Sequence, residues 1–162
     1  MSVLKIVYVP NPILNKVSSD IEEITDETIS LINNMKDTLQ NSNGIGLAAP
    51  QVGINKRLVI IDFRNAENID ENHIVRESDK KLIVMINPKI ISLSDTKLPM
   101  KEGCLSVPNI FTSITRPTEL QVEYYDENNK LVTISADNLM AKCIQHEIDH
   151  LDGLTLLEHV SA

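Results

Sequence analysis

The feature that most constrains this chain is a five-residue window, His146-Glu147-Ile148-Asp149-His150, which holds two of its four histidines. Histidines four apart on an α-helix leave the same face one turn apart, so both imidazoles can reach a single ion. Glu147, beside the first of them, is then placed to take a proton from water at that ion. If the window is a metal site, it must be helical. It also needs a third protein ligand from elsewhere in the chain, with one position left open for water. The competing reading is a solvated helix face whose charges happen to spell H-E-x-x-H, and the rest of the sequence has to separate the two.

Few residues can supply the third ligand. His73 sits in a polar stretch and His159 almost at the C-terminus, outside any motif, and each reads most simply as a surface histidine. Cys104 lies in Glu102-Gly103-Cys104-Leu105-Ser106, which reads as a short turn where glycine lets the backbone approach a ligand. A thiolate there would bind an ion strongly. A lone cysteine is also often a small buried apolar residue, and the residue type alone leaves both readings open.

A third segment, Gly44-Ile45-Gly46-Leu47-Ala48-Ala49-Pro50-Gln51, makes the pattern specific. Three blocks in this order, G-x-G-L-A-A-x-Q, E-G-C-L-S and Q-H-E-x-D-H-L-x-G, mark the peptide deformylases, and the chain resembles that family. The last block stands here as Gln145-His146-Glu147-Ile148-Asp149-His150-Leu151-Asp152-Gly153. The resemblance extends through Val9-Pro10-Asn11-Pro12-Ile13-Leu14 and the helix before Gly44, nearly the whole chain.

The resemblance implies hydrolysis of the N-formyl group from the initiator methionine of new polypeptides, releasing formate. It implies one divalent metal held by Cys104, His146 and His150, with Fe(II) as the native ion and zinc, nickel or cobalt as substitutes. Glu147 is then the proton-transfer group, and the Gln51 side-chain amide and the Leu105 backbone N–H meet the carbonyl oxygen. Gly46 lets the backbone approach the substrate. Ile45, Met100, Leu139 and Cys143 are implied to line the methionine pocket, although an apolar stripe such as Leu139 and Cys143 on a helix is otherwise usually core. Glu102 is either a partner for a ligand imidazole or a solvent-facing carboxylate. The implied partners are formyl-Met nascent peptides emerging at the ribosome, with no direct nucleic-acid binding.

The chain departs from the family pattern at several places. Asn109 follows Pro108 where glycine is usual, and asparagine also tolerates a left-handed backbone. Asn138 replaces the glycine common just before the metal helix. Phe111 stands where many relatives carry arginine or tyrosine, so any hydrogen bond from that side chain is lost. The chain stops soon after Gly153, where some relatives continue into a long helix.

The 162 residues and 42% hydrophobic content suit one domain, expected as a single catalytic domain over 1–162. The N-terminus has no long apolar run after a basic stretch, so neither a signal nor a membrane span is expected, and a cytoplasmic location follows. In that compartment a disulfide between Cys104 and Cys143 is not expected. The net charge of −8 argues against a general nucleic-acid surface, because phosphate binding needs clustered Lys and Arg.

Hydrophobic spacing predicts a helix over about Asp26 to Gln40 and another over about Asn138 to Leu151, ending at Gly153. Strands are expected at Leu58–Ile61, Leu82–Ile86, Leu120–Tyr124 and Leu131–Ile134, and the polar stretch from Arg64 to Lys81 reads as an exposed loop or insertion. The fold class is therefore α+β, in keeping with the family's antiparallel sheets around a central metal-bearing helix, here with an additional N-terminal helix. Two rival functions remain at this level. A metalloendoprotease shares the helix motif, but commonly takes histidine or glutamate as third ligand. A non-catalytic peptide-binding relative would be expected to lack Glu147 or Gln51, and both are present.

Overall fold

Leu58-Val59-Ile60-Ile61 is apolar at four successive positions, a pattern that can be buried only if both faces of its sheet are covered. The computed structural model, which describes residues 2–159, covers both. Strands β1 (Gly46–Ala48), β2 (Leu58–Asp62), β3 (Leu82–Leu93), β6 (Glu119–Tyr125) and β7 (Leu131–Asp137) form one antiparallel sheet in the order β1-β2-β3-β6-β7. Val59, Ile61, Ile83 and Met85 point to helix α2 (Asn138–Leu151). Leu58, Ile60, Val84 and Ile86 point the other way, to helix α1 (Asp26–Gln40). The period-two alternation of a strand thus divides one apolar run between two cores. Strands β4 (Lys97–Cys104) and β5 (Val107–Pro117) make a separate two-stranded antiparallel hairpin. Met1 and residues 160–162 of the expected 1–162 domain lie outside the described residues. Among those described, no helix is long and apolar enough to cross a membrane.

Local chemistry explains the helix boundaries. Thr25 and Thr28 bond each other's backbone N–H at 3.3 Å in a reciprocal cap at the start of α1, and Asp26 and Glu27 place negative charge at its positive end. Its buried face, Ile32, Met35 and Leu39, keeps the helical spacing. At the other end of the chain, the last carbonyl of α2, that of Leu151, accepts from Ser18 N at 2.8 Å and Arg57 Nη1 at 2.9 Å. Gly153 then turns the chain at φ +79°, and a Cβ there would sit 2.8 Å from the Asn15 carbonyl oxygen. The N-terminal segment is thereby laid over the end of the metal-motif helix.

Asn109 (φ 65°) and Asn138 (φ 51°) both occupy the left-handed region, which asparagine tolerates better than other side-chain-bearing residues. The two departures from glycine therefore preserve the turns.

Three expectations need correction. His73 is only 2% exposed and so is not a surface histidine; its Nδ1 lies 2.8 Å from Asp70 Oδ1. The stretch from Arg64 to Lys81 is likewise not a purely exposed loop, because Ala66, His73 and Val75 bury their side chains, two of them in the core beneath α2. Finally, Glu102-Gly103-Cys104 is the end of β4 and only Leu105 and Ser106 form the turn into β5. Strand β4 gives no strand signal in the sequence because a proline and charges interrupt it: Pro99, Lys101 and Glu102 leave it no apolar alternation.

Candidate metal centre

Helix α2 carries His146 and His150 on one face, with ring centroids 5.2 Å apart. Which nitrogen each can offer depends on what holds the other. His146 Nδ1 lies 2.9 Å from Glu102 Oε1, so the carboxylate fixes the ring with its proton at Nδ1 and leaves Nε2 for an ion. Glu102 comes from β4 and is buried, not solvent-facing. It is held in turn by Arg116 of β5, whose Nε donates to Oε2 at 2.7 Å and Nη2 to Oε1 at 3.0 Å. The same guanidinium donates through Nη1 to Asp149 Oδ2 on α2 at 2.8 Å. Arg116 thus clamps the hairpin to the helix. Nothing in the sequence singles it out, because a lone arginine in a strand has no motif; it becomes visible only when the two elements meet.

The clamp brings Cys104 to the helix. Its Sγ lies 3.3 Å from His150 Nε2, and donor atoms of Cys104, His146 and His150 all lie within 4.8 Å of one another. Among the described residues this is the one group of three His, Cys, Asp or Glu side chains that converge so closely. Both cysteines are free thiols. His159, half-buried, contributes no donor to the cluster and lies 3.2 Å from Asp149 Oδ2 through Nε2.

Electrostatics separate the motif's two histidines. Burial disfavours a charge on His146, but bonds to Cys104 and Glu102 and the nearby Glu147 outweigh it and lift the imidazole to about 10. His150, buried without such a carboxylate and facing the charges of His146 and Arg116, falls to about 3. Burial raises Glu147 to about 7, with His146 pulling the other way. Burial would also raise Glu102, yet its bonds to His146 and Arg116 hold it below the ordinary carboxylate range. One thiol and two imidazoles that converge, one of them turned to present Nε2, beside a buried Glu147 oxygen without a partner, fit a divalent cation.

The cluster opens into a cavity of about 400 Å³. From α2 it is lined by Leu139, Cys143, His146 and Glu147; from β1 and the segment before it by Ile45 and Gly46; from the hairpin by Met100, Cys104 and Leu105; and by Gln51. His150 lies behind this wall. Leu139 and Cys143 also belong to the core beneath α2, so lining and core are the same residues seen from two sides. Phe111, at the position where relatives carry arginine or tyrosine, lines it as well, and so do Lys142 and Ile69, which the sequence had not pointed to. A larger groove of about 820 Å³, beside Arg76 and Asp137, contains none of these groups.

Two contacts orient the polar lining. Gln51 Oε1 accepts from Ala48 N at 2.9 Å, which turns its amide nitrogen toward Ser106 Oγ (3.3 Å) and Cys104 Sγ (3.5 Å). At Gly46, a Cβ would come within 2.5 Å of Glu147 Oε2, so any side chain there would push the carboxylate from its place. Glu147 is 5% exposed, and its Oε1 has no hydrogen-bond partner. An unpaired buried carboxylate oxygen is costly and marks a group kept ready for a ligand.

Comparison with known proteins agrees on one family. The family model for polypeptide deformylase matches residues 3–162. A peptide deformylase of Orientia tsutsugamushi (strain Boryong) is 41% identical over 161 residues, which span 99% of this chain and 88% of that protein. One from Thermodesulfovibrio yellowstonii is 42% identical, over 99% and 91% of the two chains. Among solved structures, a peptide deformylase from Ehrlichia chaffeensis superposes with a TM-score of 0.88 at 39% identity, covering 99% of this chain and 89% of that one. The same relative in complex with actinonin gives 0.87 at 38% identity, over 99% and 90%.

Proposed function

Given that the chain belongs to the polypeptide deformylase family, a group of metal-dependent hydrolases that remove the N-formyl group from nascent peptides, we propose how its residues divide that work. The observation that carries the reading is the convergence of Cys104, His146 and His150 beside the unpartnered Glu147 carboxylate at the wall of one cavity.

Cys104, His146 and His150 would hold the ion. A divalent ion there would supply the positive charge that acidifies water and polarises the formyl carbonyl. Glu147 takes the water proton, its buried carboxylate keeping Oε1 free of any other partner. It then returns that proton to the leaving nitrogen. The Gln51 amide and the Leu105 N–H meet the negative charge developing on the carbonyl oxygen, and Gln51 needs no rearrangement because Ala48 already fixes its orientation. Glu102 and Arg116 keep His146 in the tautomer that presents Nε2. Ile45, Met100, Leu139 and Cys143 take the methionine side chain, whose flexible thioether suits a narrow apolar slot. Gly46 leaves room for Glu147 and for the substrate backbone.

One thiolate and two imidazoles can hold iron, zinc, nickel or cobalt, and it is the family resemblance that points to Fe(II) as the native ion with the others as substitutes. The substrates are nascent formyl-Met chains at the ribosome, and the enzyme acts in the cytoplasm as one catalytic domain over 1–162. The −8 net charge weighs against a general nucleic-acid surface. The cysteine ligand weighs against the endoprotease alternative.

Formate release from a formyl-Met dipeptide, measured with and without chelator and beside casein cleavage, tests the assignment. Chelator-sensitive formate release without casein cleavage is expected. Cleaved casein, or turnover indifferent to chelator, would overturn it.

A further inference from the structure

The cavity ends in two apolar side chains that the deformylation chemistry does not use. Ile69, from the segment between β2 and β3, is 57% exposed, and Phe111, from β5, is 65% exposed; both line the catalytic cavity. Single exposed apolar residues are ordinary, but two from unrelated segments at one cavity mouth mark a place where apolar surface is to be covered.

Neither residue hangs free. Phe111 pairs with Gly103 across the hairpin, and a Cβ at Gly103 would lie 2.5 Å from the ring, so the ring rests on that backbone one residue from Cys104. The Lys101 ammonium lies 5.9 Å from its centroid. Ile69 N donates to the His73 carbonyl at 3.1 Å, and His73 is buried against Asp70. Asn68 Oδ1 accepts from Val75 N at 2.7 Å, which closes the other side of this tip. Both walls are therefore built before any peptide arrives.

The occupant follows from the direction of the substrate. Its amino end is blocked by the one-carbon formyl group at the metal cluster, and the methionine side chain fills the inner pocket. What passes the mouth is the residue or two that come next. We propose that Ile69 and Phe111 form an apolar clamp that selects substrates carrying a large apolar or aromatic side chain within the two residues after the formyl-methionine. The clamp rests on the deformylase reading of the cavity. Where an arginine or tyrosine at position 111 would offer a hydrogen bond to any peptide, a phenylalanine offers only area, and area distinguishes side chains.

Initial rates of formate release from formyl-Met-Ala-Ala, formyl-Met-Phe-Ala and formyl-Met-Ala-Phe, for the native protein, Phe111→Ala, Ile69→Ser and the double variant, test this. At least one phenylalanine peptide should be favoured over the alanine peptide by about fivefold to tenfold in kcat/KM, mainly through KM, as partial burial of an aromatic ring predicts. Each single variant should bring that ratio down to about twofold or less, and the double variant should add little, because both residues grip one side chain. General damage to the site would lower the rates on all three peptides together and leave the ratio intact. Formate release without a ratio, or a ratio that survives both substitutions, overturns the clamp alone. Failure of the native protein to act on formyl-Met-Ala-Ala overturns the deformylase reading and the clamp with it.

Discussion

In β2, Leu58, Val59, Ile60 and Ile61 are all fully buried, whereas along the whole β4–β5 hairpin only Glu102, Ser106, Val107, Ile114 and Arg116 are buried, and two of these carry charge. The sheet is held by many interchangeable apolar contacts with α1 and α2. The hairpin has only the small apolar cluster of Val107, Ile114 and Leu156, and it meets α2 through directional bonds, those of Arg116 foremost. Each arrangement suits its task. A packed sheet fixes α2, and with it His146, Glu147 and His150, at a cost that no single contact controls. The hairpin delivers Cys104, and charge-assisted hydrogen bonds set position and angle in a way that apolar contact does not. The same difference concentrates the hairpin's vulnerability in one guanidinium.

Four experiments would break or sharpen this contrast. Glu147→Gln changes a reacting group on the packed side without touching the frame. It should lower turnover by about 10²–10⁴-fold with metal content unchanged, the usual worth of general acid–base catalysis. A near-native rate at full metal loading would show that another group moves the proton.

Arg116→Met should strike the hairpin. Leaving buried Glu102 without its guanidinium is expected to cost about 3–5 kcal/mol in chemical denaturation. With His146 less firmly oriented, metal affinity by competition titration should fall about 10–100-fold. Hydrogen exchange should quicken along β4 and β5 and stay slow in β2 and β3. Uniform loosening of both sheets would refute the separation.

A pH experiment gives a smaller effect. Burial raises Glu147 from its ordinary 4.5 to about 7, so the folded metal-free chain holds that proton more tightly than the unfolded one. Its contribution is stabilising at acid pH and is lost as the pH rises from 4.5 through 7, by roughly 3 kcal/mol. Stability of metal-free Glu147→Gln relative to native protein should therefore rise across that window. A flat difference would mean that Glu147 ionises as easily folded as unfolded.

The smallest effect belongs to the sheet itself. Ile60→Val should cost about 0.5–1.5 kcal/mol, the price of one buried methylene, with metal affinity unmoved. A metal-affinity loss like that of Arg116→Met would show that the sheet and the hairpin do not divide the work.

Much of this was legible in the chain. Both helices were placed by apolar spacing and their end signals, and the ion-holding candidates by motif, because such patterns repeat within a few residues and need no distant partner. Asn109 could be reconciled with a glycine position from backbone preference alone, whereas Asn138 showed its left-handed backbone only in the structure. The hairpin was not legible, since Pro99, Lys101 and Glu102 mask its strand character. Nor was the burial of His73, which depends on a loop folding back on itself through Asp70 and Asn68.

By itself, then, the sequence determined the two helices, the apolar strands and which side chains could meet an ion, because helical period, strand composition and donor spacing are local properties. Only the tertiary structure decided that Glu102 faces His146 and not water, that Arg116 joins β5 to α2, that the carboxylate of Glu147 fills the space a Cβ at Gly46 would need, and that Ile69 reaches the same cavity as Phe111. These pairings join residues far apart in the chain. Their strength comes from burial that exists only after the sheet, the hairpin and the helix have packed.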